Sequence, residues 1–365
     1  MIRPSSELEL AEAVAAAEGP LWVSGGGTRG FGAGNLSVAG LSGIELYEPG
    51  ALTLVAKAGT PLAQVEAVLA AQRQRLAFEP MDHRALLGTV GEPTIGGVVA
   101  GNVSGPRRVQ VGACRDALIG VRFVDGMGRV IKNGGRVMKN VTGYDLVKLM
   151  AGAFGTLGVL SEVSFKVLPM PEAEETLVCD GLDAAEAIAA MSRALGSPFE
   201  VTGAAQIGGQ TRIRIEGMAA SVAYRSERLQ GLLGAGWQVG DGTSWTEVRD
   251  VLPFSGRDGA VWRVSVKPSD GPVLTAGLGI AHEAIYDWGG GLIWLLVEDL
   301  KDAGAAVIRA QVAGLGGHAT LVRADDEVRA QASRFQPEPA PLAVISARLR
   351  DQFDPRGILN PGLMG

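Results

Sequence analysis

The chain is predicted to be an α+β protein of two domains, and three observations carry that prediction. Glycine clusters alternate with short apolar runs over residues 1–170, two units of the order strand, helix, strand, strand, helix, strand follow over 171–335, and prolines 169 and 171 separate the two patterns. A chain of 365 residues exceeds one ordinary core and usually divides into domains of roughly 100 to 200 residues.

The first domain opens with Ser6 and Glu9, spaced as a capping box before the alanine-rich helix 10–17. Gly19 and Pro20 end that helix, and 21–24 reads as a short buried strand entering the first glycine cluster. A strand at 53–58 leads to the helix 61–71, with Pro61 in its first turn. Strands 119–124 and 130–132 flank the turn Asp125-Gly126-Met127-Gly128, and 161–168 is the last strand. The prolines and the acidic stretch 172–175 then read as the domain boundary.

In the second domain the first unit comprises strand 176–179, helix 183–195, strands 201–207 and 211–216, helix 219–232 and strand 236–239. The second comprises strand 260–266, helix 270–279, strands 284–288 and 291–297, helix 302–313 and strand 318–323. Each order is that of a ferredoxin-like unit, so this domain is expected to be a duplicated α+β cap, one antiparallel sheet with helices on a single face. A proline-rich linker, 336–341, precedes the helix 342–353, and the turn-rich tail 357–365 is placed to reach back to the first domain; the expected third segment is therefore 336–365.

Composition narrows function. A formal net charge of −6 without runs of like charge argues against nucleic acid as a partner. The apolar run 292–297 falls far short of the ~20 residues of a membrane span, and the N-terminus lacks a basic segment leading into an apolar one. The expectation is a cytoplasmic protein without a transmembrane segment, or one held peripherally at a membrane by a partner. Cys114 and Cys179 are the only cysteines, too few for an iron–sulfur cluster or a zinc knuckle, and His83, His282 and His318 are the only histidines; no metal site is predicted.

Glycine is the abundant residue, 53 in all, gathered at 25–34, 88–105 and 152–158. Gly25, Gly27 and Gly30 match the spacing of a dinucleotide-binding fingerprint, yet such a loop must open directly into a helix, and Phe31, Gly32, Ala33 and Gly34 carry no helical periodicity. An open glycine loop can still cradle phosphate with successive backbone N–H groups, while Thr28 and Arg29 add a hydroxyl and a charge. A plain glycine hairpin has the same local sequence. The second cluster sets Gly96 and Gly97 inside an apolar segment, where glycine is unfavourable unless backbone must approach something closely. The third runs from glycines into a strand.

These three clusters, in this order, resemble the FAD-binding domain of the vanillyl-alcohol-oxidase-like, or PCMH-type, flavoproteins. The resemblance implies a two-subdomain FAD-binding domain over 1–170. By motif, Ser24, Gly25, Gly26, Gly27, Thr28 and Arg29 would hold the pyrophosphate. Thr94, Ile95, Gly96 and Gly97, with Asn102, Ser104 and Gly105, would line the ribityl and diphosphate region, and Gly112 and Asp116 would lie nearby. Gly155, Thr156, Leu157, Gly158 and Val159 would close the adenine side. The tail FDPRGILNPG (353–362) resembles the family's C-terminal return to the flavin, where Asn360 would bond the ring edge or serve as a turn residue before Pro361.

The strings LAFEPMD (76–82), NVSGPRR (102–108) and GRVMKNVTGYDLVKLMAGAFGTLG (135–158) narrow the resemblance to the E-subunit branch of the bacterial glycolate oxidases. That branch implies a companion FAD subunit of D type, an iron–sulfur subunit of F type, and a small 2-hydroxy acid as substrate. Covalent flavin in the wider family commonly uses a histidine in or near the first glycine loop or a cysteine near the second. Here the loop has Thr28 and Arg29, and Cys114, in GACRD, reads as a small buried residue, so FAD is expected to be non-covalent.

Oxidation of a hydroxy acid needs a base for the hydroxyl, a cation for the carboxylate and a hydride acceptor. The histidine-rich stretch of related hydroxy-acid flavoproteins is absent. His318, with Arg323 five residues on, is the best remaining pair, although strand alternation places them on opposite faces. His282 beside Glu283 and His83 beside Asp82 read as polar surface residues. Arg107 and Arg108 would meet flavin phosphate, a partner carboxylate or water, with water the default; Trp237, Trp245, Trp262, Trp288 and Trp294 read mostly as core. Three readings remain open: an FAD-binding subunit of a glycolate-oxidising complex, a self-sufficient flavin dehydrogenase of another alcohol or hydroxy acid, and a non-catalytic structural subunit.

Overall fold

The computed structural model describes residues 1–30, 34–135, 143–240, 242–298 and 301–364. The chain divides into two compact units, one of Met1–Ser104, Gly112–Met170 and Glu338–Gly365, the other of Gly105–Val111 and Pro171–Pro337.

In the first unit, helix α1 (Glu7–Ala15) buries Leu10, Ala11 and Val14. Ser6 Oγ accepts the Glu9 N–H at 3.2 Å. The expected capping box is only half made, because the Glu9 carboxylate turns to Ser5, which offers it both a backbone N–H and a hydroxyl. Strand β1 (Val23–Ser24) pairs in parallel with β2 (Leu36–Ser37). Then come β3 (Ile44–Glu48), β4 (Thr53–Lys57), helix α2 (Leu62–Ala71), helix α3 (Ile95–Ala100), β5 (Leu118–Val124), β6 (Val130–Gly134) and β7 (Val159–Lys166). They form a five-stranded antiparallel sheet in the order β3-β4-β7-β5-β6. Edge strand β3 was not expected from sequence: its side chains are half-buried or exposed, so it lacks a clean apolar alternation.

The tail belongs to this unit. Leu21 donates its N–H to the Ile358 carbonyl, Asn360 donates back to the Leu21 carbonyl, and Arg356 reaches the carbonyls of Gly126, Ala15, Ala17 and Val14.

The second unit contains β8 (Ala173–Asp180), α4 (Ala184–Leu195), β9 (Val201–Ile207), β10 (Gln210–Gly217), α5 (Ala219–Leu233), β11 (Gln238–Val239), β12 (Ala260–Ser265), α6 (Gly271–Gly277), β13 (His282–Asp287), β14 (Leu292–Val297), α7 (Ala305–Gly314) and β15 (His318–Arg323). They make one eight-stranded antiparallel sheet in the order β11-β8-β10-β9-β13-β14-β12-β15. Its core joins Ile188, Met191, Leu229, Leu274 and Ile308 of the helices to alternate strand residues such as Ile213, Ile215, Trp262, Val264, Ile293 and Leu295. These four helices therefore pack on one face, while the short helix Trp245–Arg249 lays Trp245 against Gly203 and Arg214 on the other.

Several boundaries differ from the sequence reading. The units divide between Met170 and Pro171, at the expected boundary, and the acidic stretch after it already belongs to β8, which begins at Ala173 and whose Glu175 accepts a hydrogen bond from Ser226. Two short helices, Trp245–Arg249 and Asp326–Gln331, fill stretches where no element was expected. Trp237, Trp245, Trp262, Trp288 and Trp294 are all buried. Gly105–Val111, placed by sequence in the first domain, packs instead with the second unit.

That segment explains Arg107, whose expected default was solvent. Arg107 is buried and paired with Glu216 of β10, which also lies 3.5 Å from Arg214. Removing one partner of a buried ion pair leaves the other charge desolvated and uncompensated. The Glu216→Gln variant is expected to lose about 3–5 kcal/mol of stability, measured by urea denaturation.

Candidate functional site

The three glycine clusters meet in one cleft of the first unit, with an empty volume of about 1160 Å³ including its open mouth. Ser24, Gly25, Gly26, Gly27, Thr28 and Arg29 form one wall. Thr94, Gly96, Gly97, Val98 and Ala100 form the second, and Phe154, Gly155, Gly158, Val159 and Leu160 the third. Asn360 and Leu363 bring the tail to the rim.

Glycine is required here by contact. A Cβ on Gly26 would stand 1.6 Å from the Glu92 carbonyl oxygen, and one on Gly25 would stand 2.2 Å from Thr94 Oγ1. The first loop thus lies directly on the segment that enters α3, where Thr94 Oγ1 accepts the Gly97 N–H. Gly27 has φ +72° and nothing within 4 Å of where a Cβ would stand, which suits a backbone facing a ligand.

Arg29 supplies the charge. It is half-buried, and loss of water pushes its guanidinium down to about 10. Its Nη1 lies where a Cβ on Gly101 would come within 1.9 Å, so Gly101 is the seat on which the guanidinium rests. Among the described residues it has no hydrogen-bonding carboxylate. A guanidinium beside an open glycine backbone fits the pyrophosphate of a dinucleotide.

The other residues singled out by sequence are placed differently. Ile95 is fully buried in α3, while Thr156 and Leu157 lie in the core, with the Thr156 hydroxyl donating to the Ala153 carbonyl. Asn102 and Ser104 hold the following short helix: Asn102 Oδ1 accepts the Arg115 N–H and Ser104 Oγ the Cys114 N–H. Asp116 accepts from Ala113 at 2.8 Å beside Gly112, whose φ is +82°. Gly105 belongs to the second unit, where its carbonyl accepts the Trp288 indole N–H at 3.0 Å. Part of the string 135–158 and Phe31, Gly32 and Ala33 lie outside the described residues.

Asn360 lines the cleft, but its amide serves the chain. Oδ1 accepts the Val23 N–H at 2.6 Å and Nδ2 donates to the Phe154 carbonyl at 2.8 Å, clamping the tail to two walls. Leaving both backbone groups unsatisfied, Asn360→Ala is expected to cost about 3 kcal/mol, read by urea denaturation of the apoprotein.

His83, read as a surface residue, is half-buried and lines the cleft with Met81 and Pro93. Its position depends on how 81–93 folds back under the first loop, for which no local signal exists. Cys114 is fully buried, and burial pushes its thiol well above the usual range.

In the second unit His318 and Arg323 do not meet. Arg323 donates to the carbonyls of Phe254 and Gly259. His318 stands opposite Ser265 in the ladder, on the face that also carries Arg263. Loss of water around the ring, then the charges of Arg263 and Arg108, hold it below the ordinary histidine range. The Ile280 carbonyl accepts the hydrogen bond from His282 Nδ1, and Glu283 pairs with Arg257. Among the described residues no cluster of three or more His, Cys, Asp or Glu is placed to hold a metal ion, and no helix is long and apolar enough to cross a membrane.

A glycine-walled cleft of this kind suits a dinucleotide cofactor, and the comparisons with known proteins point to the same class. Residues 1–134 match the FAD binding domain family. The chain is 37% identical over 325 residues to glycolate oxidase subunit GlcE of Escherichia coli K12, covering 88% of this chain and 84% of that one. It is 42% identical over 94 residues to glycolate oxidase subunit GlcD of Bacillus subtilis, covering 25% of this chain and 20% of that one. Alkyldihydroxyacetonephosphate synthase shares the fold with a TM-score of 0.69 at 17% identity, over 98% of this chain and 75% of that one. The chain belongs to the glycolate oxidase GlcE family of FAD-binding, PCMH-type oxidoreductases.

Proposed function

We propose that this protein is the FAD-binding subunit of a complex that oxidises glycolate, or a close 2-hydroxy acid, to the 2-oxo acid, passing the electrons to partner subunits. The observation that carries the reading is the cleft of the first unit, whose glycine walls and Arg29 suit FAD, in a chain similar to GlcE over most of its length. When bound there, FAD supplies the acceptor for the hydride of the alcohol carbon.

The roles follow from position. Ser24 to Arg29 hold the pyrophosphate through backbone N–H groups and the guanidinium; Thr94, Gly96 and Gly97 support the ribityl chain; Gly155, Gly158 and Val159 close the adenine side. Asn102, Ser104, Gly112 and Asp116 act through the loop they brace. The FAD domain spans 1–170, the second domain 171–335, and 336–365 returns to the first, as the grouping of Glu338–Gly365 with the first unit supports. In the second domain the orders β11-β8-β10-β9 and β13-β14-β12-β15 support two ferredoxin-like units joined through β9 and β13.

FAD is held without a covalent bond: Cys114 is buried with its proton retained, and His83 is the one imidazole lining the cleft among the described residues. Partners are a D-type flavin subunit and an F-type iron–sulfur subunit, with the chain cytoplasmic or peripheral through them. The GlcE and GlcD likenesses support the first of these partners.

Purification of the tagged chain from its own cells tests the reading. A yellow protein whose flavin is released by acid, accompanied by a second flavoprotein, with glycolate bleaching only the complex, is the expected result. Bleaching of the isolated chain by another alcohol would establish a self-sufficient dehydrogenase, and a colourless chain would leave only a structural role.

A further inference from the structure

We propose that the exposed face of helix α8 (Ala340–Phe353) is the docking surface for a second copy of this chain, the two helices packing antiparallel about a two-fold axis that passes between Leu342 and Ile345. The inference goes beyond the flavin reading and does not depend on it.

The helix is anchored at one end only. Phe353 lies against Phe123 with ring centroids 6.0 Å apart, its carbonyl accepts the Gly126 N–H, and Arg350 Nη2 donates to the Met364 carbonyl at 3.1 Å. The other end lies open to solvent. None of the 14 residues is buried, Leu342, Val344 and Ile345 are 53%, 52% and 55% exposed, and the run 340–345 holds no polar side chain. A helix of this length is marginal in water by itself, and one that is apolar all round takes its stability from a surface that covers it.

The sequence of α8 is complementary to itself. Leu342 and Ile345 lie one turn apart on a stripe that Leu349 extends. In the antiparallel pair Leu342 of each copy meets Ile345 of the other. The charges at the two ends are opposite. Glu338 stands just before the helix, where its Oε1 accepts the Ser346 hydroxyl at 3.0 Å, and the exposed Arg348 makes no hydrogen bond or ion pair among the described residues. Counted from the axis at about 1.5 Å per residue, Glu338 lies about 8 Å to one side and Arg348 about 7 Å to the other. Each copy's carboxylate thus comes opposite the other's guanidinium, as a closed two-fold dimer requires. A parallel pair would set Arg348 against Arg348 and align the helix dipoles. Two turns from each copy make an interface smaller than the ~1,200 Å² of standard complexes, so the dimer is weak and forms only at high concentration.

Sedimentation of the purified full-length protein over about 1 to 200 µM tests this. The mass is expected to rise from one chain to two across that range. Ile345→Glu should hold it at one chain with an unchanged melting temperature, because the side chain it replaces is exposed in the single chain. Arg348→Glu turns attraction into repulsion at two places per dimer and should weaken association at least about tenfold, and adding Glu338→Arg should recover most of the loss. Cys114 and Cys179 are buried, so engineered thiols report the register: a mixture of Leu342→Cys and Ile345→Cys chains should form a disulfide faster than either chain alone. A protein that stays single at every concentration overturns the proposal, including one whose Ile345→Cys thiol couples instead to a different co-purified polypeptide. A dimer that Ile345→Glu leaves intact overturns it as well, since its two chains would be joined elsewhere.

Discussion

Gly26→Ala is expected to yield a colourless protein. The added methyl would lie 1.6 Å from the Glu92 carbonyl oxygen and 2.6 Å from its carbon, and both belong to backbone, so no rotamer change relieves the clash. Either the first loop or residues 92–94 must move. Moving the loop removes its N–H groups from the cleft, and moving 92–94 displaces Thr94, which caps α3, and Pro93, which lines the site. Both routes open the wall where a pyrophosphate would lie. FAD affinity should fall at least about 100-fold, and apoprotein stability by about 3 kcal/mol, the upper end for forced overpacking. Gly231→Ala is the control: it lies within α5, nothing approaches its Cβ position within 4 Å, and alanine should there add about 0.5–1 kcal/mol. The ratio of flavin to protein absorbance and a urea titration of each apoprotein decide the matter. A yellow Gly26→Ala protein of wild-type ratio would show that the loop is not part of the cofactor wall.

Much of this wall was legible because the demands on glycine are local. Gly25, Gly26, Gly96 and Gly97 sit in short segments where a side chain would be expected, and their omission signals close approach whatever the partner. The identity of that partner is not local. Glu92 and Thr94 press on the first loop from some 65 residues away in the chain, and Gly101 is needed because Arg29 rests on it. His83 reaches the cleft through the path of the loop, which leaves no periodicity to read.

Asn360 was legible as a residue of the tail motif, yet its amide is used on Val23 and Phe154, a pairing that only the folded chain supplies. The second unit shows the same division. Alternation of apolar residues marks its strands and helices, but the guanidiniums of Arg263 and Arg108 over Trp288 come from β12 and from a segment more than 150 residues earlier, joined only by packing.

Arg29→Met should separate the two states of the protein by moving their stabilities in opposite directions. In the free chain the guanidinium is half-buried without a hydrogen-bonding carboxylate among the described residues, and desolvation already pushes it down to about 10. Exchange for an apolar side chain of similar length removes that cost while keeping contact with Gly101. The apoprotein should therefore be as stable as wild type or more so, by about 0–2 kcal/mol, since replacing a poorly compensated buried charge is often neutral or favourable. With FAD the sign reverses. A charge-assisted bond to phosphate contributes about 1.5–3 kcal/mol, so the dissociation constant should rise roughly 10- to 150-fold. Arg29→Lys keeps the charge but cannot span two oxygens and should fall between the two. Thermal unfolding with and without FAD measures both signs in one experiment: a wild-type gain in melting temperature on adding FAD that shrinks in Arg29→Met, above an unchanged or higher apo value, is the expected pattern. An unchanged gain would remove Arg29 from the phosphate site. A lower apo value would mean that the guanidinium braces Gly101 and the loop in the free chain rather than waiting for an anion.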